Sequence, residues 1–543
     1  MKKILLVGFL FLTLTSNFAQ IEMGGWRTHL SYNKINQICD SENKVFAVSE
    51  GSLFSVDKRD ENMEFYSKIS GLNGTVISKI EYDYKNKILV VVYRDGNIDF
   101  VSSGGIQNLP DFYNKQIAVK KTTNDILIHN GTAYLSTAFG IITLNIKKKE
   151  IQDTYYIGEN ASNIEVLNTT ILKNKIYATS KNDLYFADVN NPQIINYQNW
   201  TKIDNLPSSG DIKSFQAFEN KGILLRENKL FVYDNGIWTP LDASLNVENI
   251  RVSHSYLFIF TNNKTFYYKD NLTNKIEIKN LSSLIDGIVE NKTQDLWFCG
   301  DSRGLARYKN EQADFYKPNG PAVNIPYQMK FAGEKLFVVQ GGRWASQFFR
   351  EGIVMMFENN QWTNISNQEI VSETGKRAGD FMNIAIDPTD NKHFWVSSYA
   401  NGVFEFKNNQ FDKWYNFTNS TIETIFPNKP SAYEYMRVDG GTYDSDGNVW
   451  FSNTSASKSI KYYNTDGTWG ELTHNKISKI KTLSKILISK KNPNQKWLLS
   501  LRHKPGVIII NDNGTHLNAD DDQVVFKTSL KYKVNDEIRT FSP

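Results

Sequence analysis

Cysteine is almost missing from this chain of 543 residues: Cys39 and Cys299 are the only two. A pair so widely separated makes no disulfide framework, and two buried free thiols are expected. Histidine is also scarce. Its seven copies, at positions 29, 129, 254, 393, 474, 503 and 516, show neither HExxH nor any paired ligand spacing. There is no phosphate-binding P-loop and no Gly-x-Ser-x-Gly elbow. These absences argue against a metal centre, a cofactor or a nucleophilic enzyme, and no residue is nominated as catalytic. An excess of one charge is lacking too, since 62 Lys and Arg stand against 58 Asp and Glu. No basic arm or basic helix occurs, so nucleic acid is not an expected partner. The densest positive run, Lys147-Lys148-Lys149, reads as a solvated turn.

Long apolar runs are confined to the N-terminus. Lys2 and Lys3 precede an apolar stretch at 4–14, followed by polar residues and Ala19. That layout is a secretory signal peptide over 1–19, too short to span a bilayer. No cysteine adjoins the cleavage point, so a lipid anchor is not expected. The mature chain is expected in the periplasm or on the outer-membrane cell surface.

Sustained helical periodicity is absent as well, which disfavours stacked helical repeats. In its place stands a recurring apolar strand. The stretch 444–463 shows the unit: a turn at Asp446-Gly447, a dipeptide favoured in two-residue hairpins, then Val449-Trp450-Phe451, a polar loop, and Ile460, Tyr462 and Tyr463. Similar strands start near Val45, Ile88, Ala133, Ile176, Ile223, Leu257, Leu296, Leu336, Phe394 and Trp497. Their spacing, roughly 35 to 58 residues, brackets one propeller blade. Tryptophans 200, 238, 362, 414 and 469 fall where one unit closes, and packing between blades is their expected role.

The fold expected is therefore all-β, with four-stranded antiparallel blades that protect their edges by closing rings. About 45 residues per blade gives eleven or twelve blades, more than the ~4–8 of a single ring. Two tandem β-propellers follow: a first of about seven blades over 20–325 and an incomplete second over 326–543. The last residues, 524–543, read as the start of another unit, which suggests a truncated reading frame or a smaller second ring.

Several short motifs appear in order: Trp26-Arg27-Thr28-His29, Leu53-Phe54-Ser55, Ser70-Gly71-Leu72, Asp95-Gly96-Asn97-Ile98-Asp99, Pro110-Asp111, Ala138-Phe139-Gly140-Ile141 and Asp153-Thr154-Tyr155-Tyr156-Ile157-Gly158. Gly341-Gly342-Arg343-Trp344 and Gly352-Ile353-Val354-Met355 follow later. As an ordered set they resemble the PorZ family, double-propeller components of the type IX secretion system of Bacteroidetes. The resemblance implies a non-enzymatic cell-surface member of the attachment complex. Its implied partners are a sortase-like cysteine protease and outer-membrane barrel proteins. Its implied ligand is anionic lipopolysaccharide, delivered to the sortase for attachment to secreted cargo. Family members continue into a C-terminal β-sandwich sorting domain, which is absent from these residues. Two alternatives stand beside this reading: a periplasmic oligosaccharide-sensing head of a hybrid two-component regulator, and a carbohydrate-active propeller enzyme.

Two local features are candidate sites. The insertion 340–352 sets Arg343 and Arg350 around Trp344, Phe348 and Phe349. Guanidinium forks bind phosphate or carboxylate, and aromatic faces stack on sugars or cover lipid. An anionic glycolipid or a partner protein suits this set, and so does a plug between two propellers. The alternating oxygens of Asp444, Asp446 and Asn448 have some calcium-loop character but no distal Glu, and a plain turn is expected.

Overall fold

The computed structural model describes residues 25–541, apart from 430–434, 473, 503 and 516–519. The signal-peptide reading, His503 and His516 lie outside the described residues. Among the described residues there are eleven four-stranded sheets and one two-stranded hairpin, and within each sheet the strands follow one another in chain order. Seven sheets, at 35–66, 77–109, 123–155, 168–202, 212–240, 247–278 and 286–316, form the first propeller. Four more, at 328–365, 381–415, 438–472 and 487–527, belong to the second, and the hairpin 530–541 follows them. The blades are numbered 1 to 11 in that order.

Every apolar run picked out in the sequence is the second strand of a blade. That strand lies between the first and third and is covered on both faces by neighbouring blades; Ile88–Tyr93 is buried along its whole length. Continuous apolar composition is what such a strand needs. The tryptophans at 238, 362, 414 and 469 lie on fourth strands, and Trp200 immediately precedes one. The unequal repeat lengths also have a cause. Between blades 8 and 9 the chain adds a helix, Asn367–Thr374, started by Ser366 capping Gln368 N–H and ended by Gly375 in the left-handed region.

Because no strand is exchanged between the two ends of the first ring, side chains hold its seams. Gln37 of blade 1 grips blade 2 like a neighbouring peptide group, donating to Ile80 C=O at 2.8 Å and accepting Ile80 N–H at 3.1 Å. The same hand-off runs on through Ser78 to Thr123, Asn124 to Val166, Asn168 to Phe215 and Gln216 to Ile250. Asn249 then donates to Ile285, and the Asp286 carboxylate accepts Ile38 N–H at 3.1 Å, which returns the circle to blade 1. These contacts satisfy inner-edge backbone groups that would otherwise face the axis unpaired. Beneath the closing seam, Trp297, Cys299 and Tyr316 of blade 7 share one core with Ile38, Val45 and Phe54 of blade 1. Cys39 and Cys299 are both buried and unpaired.

The ordered motifs acquire physical roles. Asp99, fully buried, accepts from Asn73 N–H, Asn73 Nδ2, Tyr93 Oη and Asn108 Nδ2 and so ties the blade 1–2 connection to blade 2. The Trp26-Arg27-Thr28-His29 segment reaches the second propeller. Arg27 donates to Asn360 at 2.8 Å and lies over the Phe357 ring, while His29 Nδ1 accepts from Trp362 Nε1 at 3.0 Å. Ser31 continues the staple by bonding Asn324 and Ala322 of the connection between the rings.

The His29 contact needs a neutral imidazole, and burial, followed by the Arg27 charge, holds its pKa below the usual value. The folded state then binds fewer protons than the unfolded chain. This stabilisation is present above about pH 6.5 and is lost as pH falls below it. His393 acts with the opposite sign. Its hydrogen bonds to Glu405 and Asp387, 3.0 Å each, raise its pKa, so its contribution is present below about pH 6.5 and fades as pH rises through the folded value. The readout for His29 is therefore a difference: His29→Asn, which keeps an acceptor but takes no proton, should lose less of its melting temperature on acidification than wild type.

One turn departs from expectation. Asp446-Gly447 does not form a two-residue hairpin; five residues, 444–448, join the strands Val438–Tyr443 and Val449–Asn453. The Asp444 carboxylate accepts from Asp446 N–H, Asn448 N–H, Asn448 Nδ2 and Trp450 Nε1, at 2.8 to 3.0 Å, and this holds the longer loop open. Asn130-Gly131 and Asn235-Gly236 do make two-residue turns, both residues of each pair having positive φ.

Candidate binding face of the second propeller

The insertion 340–352 leaves the second strand of blade 8, Lys335–Val339, and returns as the third, Val354–Glu358. Two glycines start it for steric reasons. Gly341 has φ +50 and packs so closely on Tyr327 that a Cβ would lie 2.2 Å from the ring; at Gly342 a Cβ would lie 2.3 Å from Gln347 O. A single 3₁₀ turn, Ala345–Gln347, follows, and Gln347 Oε1 accepts from the backbone N–H of Arg343 and Trp344.

Arg343 is buried and crosses to other blades. Its guanidinium pairs with Asp439 of blade 10, donates to Leu483 C=O at 2.5 Å and lies 4.9 Å from the Tyr399 ring centroid. Arg350 donates to Gln340 and Gly341 C=O at 2.9 and 3.2 Å. Its backbone N–H and that of Phe349 reach Asp380, a fully buried carboxylate whose pKa burial pushes up. Phe348 is half-buried, while Phe349 is 81% exposed at φ +66. Trp344 is half-buried with the exposed Arg502 over its ring at 4.2 Å. Of the five residues nominated from the sequence, Arg343 and Arg350 serve the loop's own architecture. Trp344 and Phe349 offer surface.

Tertiary structure adds groups that no local motif marks. Arg437 lies over the rings of Tyr435 and Tyr399, 5.0 and 5.4 Å from their centroids, and its Nε is buried without a hydrogen-bond partner. The Arg502 side chain makes no hydrogen bond or ion pair among the described residues, so its donors are open above an aromatic plate. A guanidinium so placed can take a phosphate or carboxylate while the ring packs a sugar face. Among the described residues no group of three His, Cys, Asp or Glu is placed to hold a metal ion.

A family model for the PorZ N-terminal β-propeller domain of type IX secretion matches residues 45–201, most of blades 1 to 4. The chain also superposes on PorZ of Porphyromonas gingivalis, an essential bacterial surface component of the type-IX secretion system. The TM-score is 0.82 at 25% identity, over 92% of this chain and 67% of that one. The chain resembles PorZ in fold along nearly its whole length. At 92% of this chain, that superposition extends beyond the domain matched by the family model and into the second ring. An extracellular domain of a putative one-component system of B. thetaiotaomicron aligns over 94% of this chain and 76% of its own, at 15% identity and a TM-score of 0.36. A likeness that weak carries no argument. No curated protein matches the chain.

Proposed function

We propose that this chain is an exported, non-enzymatic component of type IX protein secretion that holds an anionic lipopolysaccharide and presents it to a sortase-like cysteine protease, beside outer-membrane barrel partners. The superposition on PorZ along nearly the whole chain carries the secretion role. The open Arg502 guanidinium above Trp344, with Arg437 against Tyr399 and Tyr435, supports an anionic glycolipid as ligand. The site would lie on the second propeller, with Phe349 as an apolar contact at its edge.

Two measurements test the two halves. Deleting the gene should block processing of secreted cargo and its lipid attachment; normal cargo in the deletion strain would remove the secretion role. Purified Arg502→Glu should bind anionic lipopolysaccharide at least about tenfold more weakly than wild type, since a charged hydrogen bond and a cation–π contact are both lost. Unchanged binding would place the ligand elsewhere. Phe349→Ala should leave the melting temperature almost unaltered, because an exposed side chain contributes within about 0.5 kcal/mol.

A further inference from the structure

The first propeller encloses an axial channel of about 600 Å³, lined by the inner strands of several blades. Most of its polar groups are already engaged. Asn168 and Gln216 hold the neighbouring blades through both ends of their amides. Arg251 Nη2 meets Glu81 at 3.1 Å, and its Nε stands 3.9 Å from Asp286. Two groups are left over. Arg251 Nε is buried with no hydrogen-bond partner. Asp125, from blade 3, is half-buried in the channel wall; the backbone N–H of Ile126 hydrogen-bonds to it, and no side chain of the described residues does. Although both residues sit well below the rim, the channel still reaches them; the Arg251 side chain is 22% accessible.

We infer that this channel is a binding site for a primary ammonium group carried on a slender ligand, seated against Asp125. Arg251 is balanced by Glu81 and Asp286, whereas Asp125 has no cation within ion-pair distance. A hydroxyl would supply a donor but leave the carboxylate's charge uncompensated, and an ammonium supplies both. Two sources carry this chemistry: a 2-amino sugar and the side chain of a lysine within an extended peptide. The groups acting on Asp125 from the surrounding strands are Lys79 and Arg251, which favour its ionised form, and Glu81, which opposes it. Burial outweighs them and pushes its pKa up to about 6. Lys85, His129 and His254 line the channel at its turn end.

Calorimetry on the full chain tests this with three probes: glucosamine, N-acetylglucosamine and a lysine capped at both backbone ends. Saturable binding of glucosamine or capped lysine, with none by N-acetylglucosamine, is the expected result; whichever ammonium probe binds identifies the source. Asp125→Asn, nearly isosteric, should weaken that binding at least about tenfold. In the wild type, affinity should tighten as pH rises from about 5 to 7 and Asp125 ionises. That slope should persist when His129 and His254 are both replaced by Asn. The pH series decides the matter should Asp125→Asn fail to fold. Equal binding of the acetylated sugar, no saturable binding of either ammonium probe at millimolar concentration, or a flat pH profile would overturn the inference. None of these outcomes touches the second-propeller site, where Arg502→Glu is read separately.

Discussion

Trp297→Ala should destabilise the first propeller by about 3–5 kcal/mol, read as a fall in the urea midpoint. The indole is fully buried and stacks on Tyr316 at 5.5 Å with 28° between the planes. Its Nε1 donates to Glu290 at 3.3 Å, and Arg307 lies 5.5 Å from its ring centroid. Above all it belongs to the core shared by blades 7 and 1, the one seam joining elements about 250 residues apart in the chain. Every other seam of that ring joins consecutive blades. A cavity here therefore weakens closure of the ring as well as packing, and the chain entropy recovered on opening is large. Phe65→Ala, at a half-exposed ring on the outer strand of blade 1, is the control and should cost far less. A loss below about 1 kcal/mol at Trp297 would show that blades 1 and 7 are held by something other than this core.

The second large effect concerns the binding loop. Arg343→Ala should cost about 3–5 kcal/mol, because it strands Asp439 as a buried charge with no counter-ion. Asp439 would keep the N–H of Gly440 as a donor, at 2.6 Å, but a single amide does not replace a guanidinium. Leu483 C=O would lose its donor as well. Removing both partners together, as Arg343→Met with Asp439→Leu, should recover most of the loss, since apolar side chains of similar size leave no buried charge. A double-mutant cycle in urea measures the coupling, and additive single effects would show that the pair is not the strut described here. The cycle also separates architecture from recognition. Arg343→Ala frees the loop and should weaken glycolipid binding indirectly, whereas Arg502→Glu should weaken binding with the fold intact.

How far the sequence could be read depended on strand position within a blade. Second strands such as Ile88–Tyr93 have two buried faces and announce themselves as apolar runs. Fourth strands such as Met63–Tyr66 and Ile237–Pro240 are largely exposed and carry little pattern beyond an occasional tryptophan. First strands are legible in their apolar half only. Gln37, Asn168, Gln216 and Asp286 look like interruptions, yet they hold the seams. Isolated polar residues in a strand have no periodicity by which to be recognised. The Asp446-Gly447 turn was misjudged for a related reason: dipeptide preference is local, and the side chain that set the loop length is Asp444.

The candidate site was legible to the same limited degree. The insertion 340–352 stands out because it lengthens one repeat, and its aromatics and arginines are visible in any reading. Arg343 and Arg502 look alike in sequence. Only the fold separates them, since Asp439 lies 96 residues from Arg343 and Trp344 meets Arg502 from another blade.

By itself, then, the order of residues determined that this chain makes small antiparallel sheets, about eleven or twelve of them, and that they must be gathered in rings, because strand hydrophobicity and turn chemistry act over a few residues. The tertiary structure alone decided which polar groups close the seams, which arginine is a strut and which is open, and which carboxylate in the axial channel has no side-chain partner among the described residues. Those outcomes depend on pairings across 34 to 248 residues, and such pairings exist only once the blades have come round an axis.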